Sequence, residues 1–468
     1  MSTLSIAIIV VFIVGYLFIA LESVTKVNKA AVALLMFVAV WTLYMMDPGY
    51  FVNLIHPDFL DVLKLEYNEL GEHVNPVMLF VTDVIQKHLG DTATTLFFLM
   101  GAMTIVEVVD QNGGFDWVRR VMHTKSKRVL LWRIAFMTFF LSAILDNMTT
   151  SIVMIMILRK LVSQRKDRIV YAALVIIAAN SGGAFSPIGD VTTIMLWNKG
   201  LITSMGVISE ILVPSLVSML IPAIIMQFSL KGELEMELAE GQAVKSEEQE
   251  LSDMQRKVVF WVGVGGLVFV PIFKSITHLP PFVGILLVLS LVWIVTEFFY
   301  AGLKAQKETR KKRVVNLIRN IDMSTILFFL GILMAVSCLA EIGALTALGK
   351  GLNVAFDGNH FMVTGIIGVL SSIIDNVPLV AGCMGMYPVE AAGDFAVDGI
   401  FWQLLAYCAG VGGSMLIIGS AAGVVVMGLE KITFGWYMKH VTWIAFVGYL
   451  AGIVTYYVMR TFVFTTPL

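Results

Sequence analysis

Leu141-Ser-Ala-Ile-Leu-Asp146-Asn147-Met148 and Leu370-Ser-Ser-Ile-Ile-Asp375-Asn376-Val377 are near-copies of one another. Two further pairs keep the same spacing. Leu96-Phe-Phe-Leu-Met-Gly101 matches Leu327-Phe-Phe-Leu-Gly331 upstream, and Ser181-Gly-Gly-Ala with Ile188-Gly189 matches Val411-Gly-Gly-Ser with Ile418-Gly419 downstream. The offsets fall between 229 and 231 residues. One such match would be chance; three in register argue for a duplicated chain.

The flanks of the two Asp-Asn pairs differ. Arg119, Arg120, Lys125, Lys127, Arg128 and Arg133 precede the apolar stretch 134–158; Arg159, Lys160, Arg165, Lys166 and Arg168 follow it. Basic loops stay in the cytoplasm, so a single crossing would put one cluster on the wrong side. A re-entrant hairpin over 134–158 avoids this. Each arm is about twelve residues, roughly 18 Å of helix, which reaches the middle of a 30 Å hydrocarbon core. Asp146-Asn147 is then the tip. The second hairpin, 361–388, has Lys350, Asp357, His360, Glu390, Asp394 and Asp398 around it, and few Lys or Arg. It is expected to enter from the opposite face. Five spans per half, an odd number, also turn the second copy upside down.

Composition fixes the solvent. Of 468 residues, 58% are apolar and 14% charged, against roughly 25% charged in soluble domains. Apolar stretches of membrane length recur at 4–21, 30–47, 92–111, 168–197, 207–228, 258–273, 280–300, 323–342, 401–428 and 441–459. The first reads as a span rather than a cleaved signal, because no basic region precedes it and no small-residue cleavage site follows. A soluble enzyme, a disulfide scaffold and a disordered chain are excluded. The net charge of −2 gives no case for nucleic acid. Cys338, Cys383 and Cys408 lie in apolar segments without metal-ligand spacing and read as buried hydrophobes.

The expected fold is an all-α polytopic membrane protein of two inverted-topology repeats. Each repeat has a re-entrant helical hairpin and a broken transmembrane helix. The first repeat is 1–228, with the broken helix at 168–197. A cytoplasmic acidic linker, 229–257, follows. The second repeat is 258–468, with the broken helix at 401–428. Residues 48–91 form a watery loop whose tail, Val77 to Leu89, reads as a short interfacial helix. Residues 304–319 are strongly basic and are placed in the cytoplasm.

Chemistry concentrates at the tips and the breaks. A carboxylate at the bilayer middle is costly and normally serves a function. Asp146 and Asp375 offer oxygens to a cation, and Asn147 and Asn376 add amide carbonyls; the same Asp side chains can cap half-helices. Thr149 and Ser371 lie beside the tips. The break Asn180-Ser181-Gly-Gly-Ala-Phe-Ser186-Pro-Ile-Gly-Asp190-Val-Thr192-Thr193 and its counterpart from Gly410 through Ser414 to Ser420 interrupt their helices with Gly, Ser and Pro. Freed carbonyls at that depth are tolerable only where protein or a ligand satisfies them, and they are natural Na⁺ ligands. Glu107 and Glu341, near the ends of repeat-related spans, are secondary candidates. Glu22, Glu210 and Glu297 read as facing water.

The tips, the break from Asn180 to Thr193 and the inverted halves resemble the NhaD-type sodium/proton antiporters of the ion transporter superfamily. The superfamily's sodium/dicarboxylate symporters carry Ser-Asn-Thr at both tips; Asp146-Asn147-Met148-Thr149 and Asp375-Asn376-Val377-Pro378 depart from that. The resemblance implies a homodimer with a scaffold domain and a moving transport domain. It also implies that Asp146, Asn147, Asn180, Asp190, Thr192, Thr193, Asn376 and Ser414 bind or couple the ions.

The residues themselves disfavour an anionic substrate: two tip carboxylates would repel it, and no Lys or Arg lies inside any expected span. The expected activity is exchange of Na⁺ (or Li⁺) for H⁺, with Na⁺ at Asp146, Asn147, Asp190, Asp375 and Asn376. Asp146 is the main shared carrier, assisted by Asp190 and Asp375. A carboxylate removed from water holds a proton or a cation, and poorly both. The alternative is a permease of the same architecture for a neutral solute or a metalloid such as arsenite, coupled to Na⁺ or H⁺. An intramembrane enzyme would need a nucleophile–base set or a metal cluster at depth, and no HExxH motif occurs. No cofactor is expected. The expected setting is a bacterial cytoplasmic (inner) membrane.

Overall fold

A computed structural model describes residues 2–20, 22–66, 75–230, 232–234, 251–301, 313–373 and 375–464. Most of the acidic linker (235–250) and most of the basic loop (304–312) lie outside the described residues. The described chain is helical, with one isolated bridge between Ser126 and Glu233.

The helices that bear on the site, in order, are α1 (Thr3–Ala20), α2 (Lys29–Tyr44), α3 (Pro48–Ile55), α4 (Pro76–Gln111), α5 (Asp116–Met122), α6 (Lys127–Leu145), α7 (Asn147–Leu161), α8 (Arg165–Ala184), α9 (Val191–Asn198) and α10 (Ser204–Gln227). Then come α11 (Asp253–Thr277), α12 (Pro281–Ala301), α13 (Met323–Glu341), α14 (Ala344–Ala355), α15 (His360–Ser371), α16 (Asn376–Met386), α17 (Ile400–Gly412), α18 (Ala421–Glu430) and α19 (Thr442–Phe462).

Among the described residues, seven helices are long and apolar enough to cross a membrane, or eight if the bent pair α2 and α3 is one span. Ten stretches are expected from the sequence. Six of the seven fall on expected stretches; the seventh is α6, which lies in the expected hairpin 134–158. The expected stretches 168–197 and 401–428 are each divided into helices, of 20 and 8 residues and of 13 and 10. Two other expectations need correction. Val77–Leu89 is not a separate interfacial helix, because α4 runs unbroken for 36 residues. The two helices that meet at Asp146 have 19 and 15 residues, where arms of about twelve are expected from the sequence. Ser126 caps α6 by accepting from the Val129 amide, so the helix starts within the basic flank. The second pair, α15 and α16, has 12 and 11 residues.

The chain forms two compact units. One comprises 1–96, 322–359 and 377–388. Its centre is α2 against α13, where a Cβ on Gly331 would stand 2.6 Å from the Ala33 carbonyl carbon. Glycine is therefore required for the approach, as is common between membrane helices. Trp41 Nε1 donates to the Met334 carbonyl at 2.8 Å across the same seam.

The other unit comprises 97–321, 360–376 and 389–468. Two of its helix contacts are the same contact made twice. A Cβ on Gly182 would stand 2.1 Å from the Phe139 carbonyl oxygen, and one on Gly412 would stand 2.2 Å from that of Gly368. Ser142 Oγ donates to the Ala179 carbonyl at 2.6 Å; Ser371 Oγ donates to that of Ala409 at 2.8 Å. All of these partners keep the offset of 229 to 230 residues.

Candidate functional site

The first tip is a single residue between two helices. Asp146 closes α6 and caps α7 at φ 77°. With ψ 160° this is outside the left-handed helical basin, in a conformation that residues with a side chain rarely adopt. Here Asp146 accepts from the Thr149 amide at 2.8 Å and from Thr149 Oγ1 at 2.7 Å. Asn147 then starts α7 with a buried side chain.

The first break ends α8 at Ala184 and starts α9 at Val191. Asp190 caps α9: its carboxylate accepts from the Thr192 amide at 2.9 Å and Thr192 Oγ1 at 3.0 Å, while Thr193 Oγ1 donates to its carbonyl at 2.8 Å. In the second break Ser420 has the same role on α18, accepting from the Gly423 amide at 3.2 Å. Asp and Ser are both preferred N-caps, so one backbone solution is kept with and without a charge.

Tips and breaks converge on Asp190. Asn147 Nδ2 donates to Asp190 Oδ2 at 2.8 Å and to Asn180 Oδ1 at 3.1 Å. Asn180 Nδ2 donates onward to Ser420 Oγ at 2.9 Å. Asn376 Nδ2, from the second tip, lies 3.5 and 3.4 Å from the two Asp190 oxygens. Asp146 and Asp375 stand near enough for their charges to act on Asp190. Asp190 is 1% exposed and Asn180 fully buried. Among the described residues no Lys or Arg pairs with Asp190 or Asp146. A carboxylate at this depth with only neutral donors around it is one positive charge short of balance.

A family model described as citrate transporter matches residues 16–406. The chain is 41% identical to sodium/proton antiporter 1 of Arabidopsis thaliana, over 99% of this chain and 74% of that protein. It is 39% identical to sodium/proton antiporter 2 of the same plant, over 96% of this chain and 99% of that protein. Against the Na⁺/H⁺ antiporter NhaD of Alkalimonas amylolytica the identity is 32%, over 80% and 79%. The chain belongs to this transporter family, and within it to the NhaD-type sodium/proton antiporters. It is an integral membrane protein.

Several candidates of this NhaD-type chain lie off the Asp190 network. Ser181 accepts from Ser218 Oγ at 2.9 Å, Ser186 Oγ donates to the Ala143 carbonyl at 2.5 Å, and Ser414 Oγ donates to that of Val411 at 2.6 Å. Ser371 ties α15 to α17. Glu107 accepts from Gln111 Nε2 on its own helix at 3.1 Å.

Glu341 belongs to the other unit, where His56 Nε2 and His88 Nε2 each lie 2.8 Å from one of its oxygens. No local sequence pattern links His56 or His88 to a carboxylate over 250 residues away. Glu210 is not facing water. It is 4% exposed, accepting from Tyr456 OH at 2.9 Å and Arg460 at 3.1 Å. Glu430, which drew no attention in the sequence, is buried between Arg159 and Arg168 at 2.8 and 2.7 Å.

Proposed function

We infer that the protein exchanges Na⁺ for H⁺ across its membrane. The single observation that carries this reading is Asp190, a buried carboxylate held by Asn147, Asn376 and Thr192 with no cationic partner among the described residues. Such a group is stable when a proton or a bound cation supplies the missing charge. Around it stand oxygen donors suited to a hard cation: the carboxylates of Asp146 and Asp375, the amide oxygens of Asn147 and Asn376, and the carbonyls freed at Ala184 and Gly412. The C-terminal ends of half-helices carry partial negative charge, which favours a cation there. The proton and the cation compete for the same carboxylate. If only occupied sites cross, that competition is exchange. Lithium, a smaller ion of the same chemistry, fits the same donors.

The architecture we propose is two inverted repeats. Its support is the shared offset, the paired Gly182 and Gly412 approaches, the paired Ser142 and Ser371 bonds, and the opposite charge of the two tips' flanks. In α6 the basic residues 127, 128 and 133 occupy the first turns. The apolar part, 134–145, is about 18 Å long and re-enters to mid-membrane rather than crossing. A homodimer and a bacterial cytoplasmic membrane complete the proposal. No citrate-like anion fits a site of three carboxylates.

Proteoliposome transport with Na⁺, Li⁺, K⁺ and arsenite tests this directly. Na⁺ and Li⁺ should dissipate a preset pH gradient, K⁺ and arsenite should not. Arsenite movement without Na⁺-driven proton flux would refute the proposal.

A further inference from the structure

The larger unit has a second feature besides the Asp190 network. A cavity of about 750 Å³ opens between the turn at Gly113-Gly114, α5 and the first half of α11, and reaches Ile144, two residues before the tip. Its walls are mostly apolar, with Phe260, Val264 and Val268 among them. Its mouth is basic: Arg120, Arg256 and Lys257 line it. Arg256 is paired with Asp253, also at the mouth. Arg120 and Lys257 are exposed, and neither pairs with a carboxylate among the described residues. Between mouth and wall lies Trp117. Its indole packs edge-on against Phe260 at 6.3 Å, and its Nε1–H is buried without a hydrogen-bond partner among the described residues.

We propose that this cavity binds an anionic phospholipid of the cytoplasmic leaflet. The observations are complementary to that molecule part by part. From Arg256 to Val268 the helix descends about 18 Å, from the membrane surface to its middle, the depth of an acyl chain. The exposed cations sit where a phosphate would lie, on the side to which basic flanks assign the cytoplasm. A buried indole N–H normally finds an acceptor, and at a membrane interface a lipid phosphate or ester oxygen provides one. A water-soluble anion would leave the apolar wall unfilled, and a neutral lipid would leave Arg120 and Lys257 unanswered. The chain would then end beside Ile144, under the tip.

The test is lipid retention by the purified full chain in native mass spectrometry. Phosphatidylglycerol and phosphatidylcholine of identical acyl composition are the probes. Phosphatidylglycerol should be retained in preference. The Arg120→Gln/Lys257→Gln double variant should lose it, by about fivefold in affinity per cation, the fold-change matching ~1 kcal/mol each near an anionic surface. Trp117→Phe, which keeps the ring and removes the donor, should weaken retention without altering folded yield. Val264→Trp, which fills the wall, should exclude both lipids. Equal retention of the two lipids, or unchanged phosphatidylglycerol retention in the double variant, would overturn the proposal. So would efficient cross-linking between copies through Trp261→Cys with no bound lipid, which would give this face to a second chain.

Discussion

Asp190→Asn is the most informative single substitution. The side chain keeps its shape but loses its charge and one acceptor. Its amide nitrogen must then face Asn147 Nδ2 or the Thr192 amide, donors that lie 2.8 and 2.9 Å away in the native protein. One buried donor left unanswered costs about 1–3 kcal/mol. The removed charge also costs binding energy. A carboxylate about 4 Å from a cation contributes roughly 4 kcal/mol at an effective dielectric constant of about 20. Even with half of that offset by desolvation, the apparent Na⁺ affinity should fall by about 30-fold, since ~1.4 kcal/mol is a factor of ten. Stability should change little, because removing an unpaired buried charge offsets the donor left unanswered. The assay is the initial rate of Na⁺-driven proton release from proteoliposomes over a wide Na⁺ range, with thermal unfolding as the folding control. A folded variant whose KM for Na⁺ is within a few-fold of wild type would refute the central place given to Asp190.

Other substitutions probe the surrounding claims. Asp146→Asn tolerates the positive φ and should fold normally, yet Na⁺-driven proton movement should be lost; near-normal exchange would remove Asp146 from ion coupling. In a cysteine-free background, single cysteines at Lys125 and Arg165 should label only from the cytoplasm, and those at Asn359 and Glu390 only from outside. Opposite labelling of 125 and 165 would make α6 and α7 one crossing. Gly182→Ala and Gly412→Ala each drive a methyl into a backbone carbonyl at 2.1 and 2.2 Å, so both should destabilise the fold by about 1–3 kcal/mol or more, seen as a lower unfolding temperature. Gly90→Ala, with nothing within 4 Å, should be neutral or slightly stabilising.

What the sequence made legible was local chemistry. Asp146-Asn147, Asp375-Asn376 and the Gly-rich break before Asp190 stand out because charge and helix-breaking residues inside apolar stretches have no cheap explanation. Their tertiary partners were not legible. The sequence reading puts Asp146 first; in the structure Asp146 accepts from Thr149, and Asn147, Asn376 and Thr192 gather around Asp190. Repetition also hid an asymmetry: Asn180 and Asp190 correspond to Gly410 and Ser420, so the second break keeps the cap but carries no charge. The extent of α4 was lost for another reason. Asp83, Lys87, His88 and Asp91 interrupt its apolar pattern, and polarity alone cannot distinguish a loop from a helix that continues. Glu341 with His56 and His88, and Glu430 with Arg159 and Arg168, are tertiary pairings. No periodicity encodes them.

The central claim is that one proton and one Na⁺ compete for the same buried carboxylate. Initial rates over a range of Na⁺ concentrations, at several pH values on the loading side, test it most directly. Only the deprotonated carboxylate binds Na⁺, so acid acts as a competitive inhibitor. KM for Na⁺ should fall as pH rises, by about tenfold per pH unit per competing proton on the acid side of the titration, and then level off once the carboxylate is ionised. The maximum rate should change far less, because saturating Na⁺ displaces the proton. A KM that does not move with pH, together with a maximum rate that depends steeply on it, would contradict the shared site and point instead to a separate titrating group that switches the protein on.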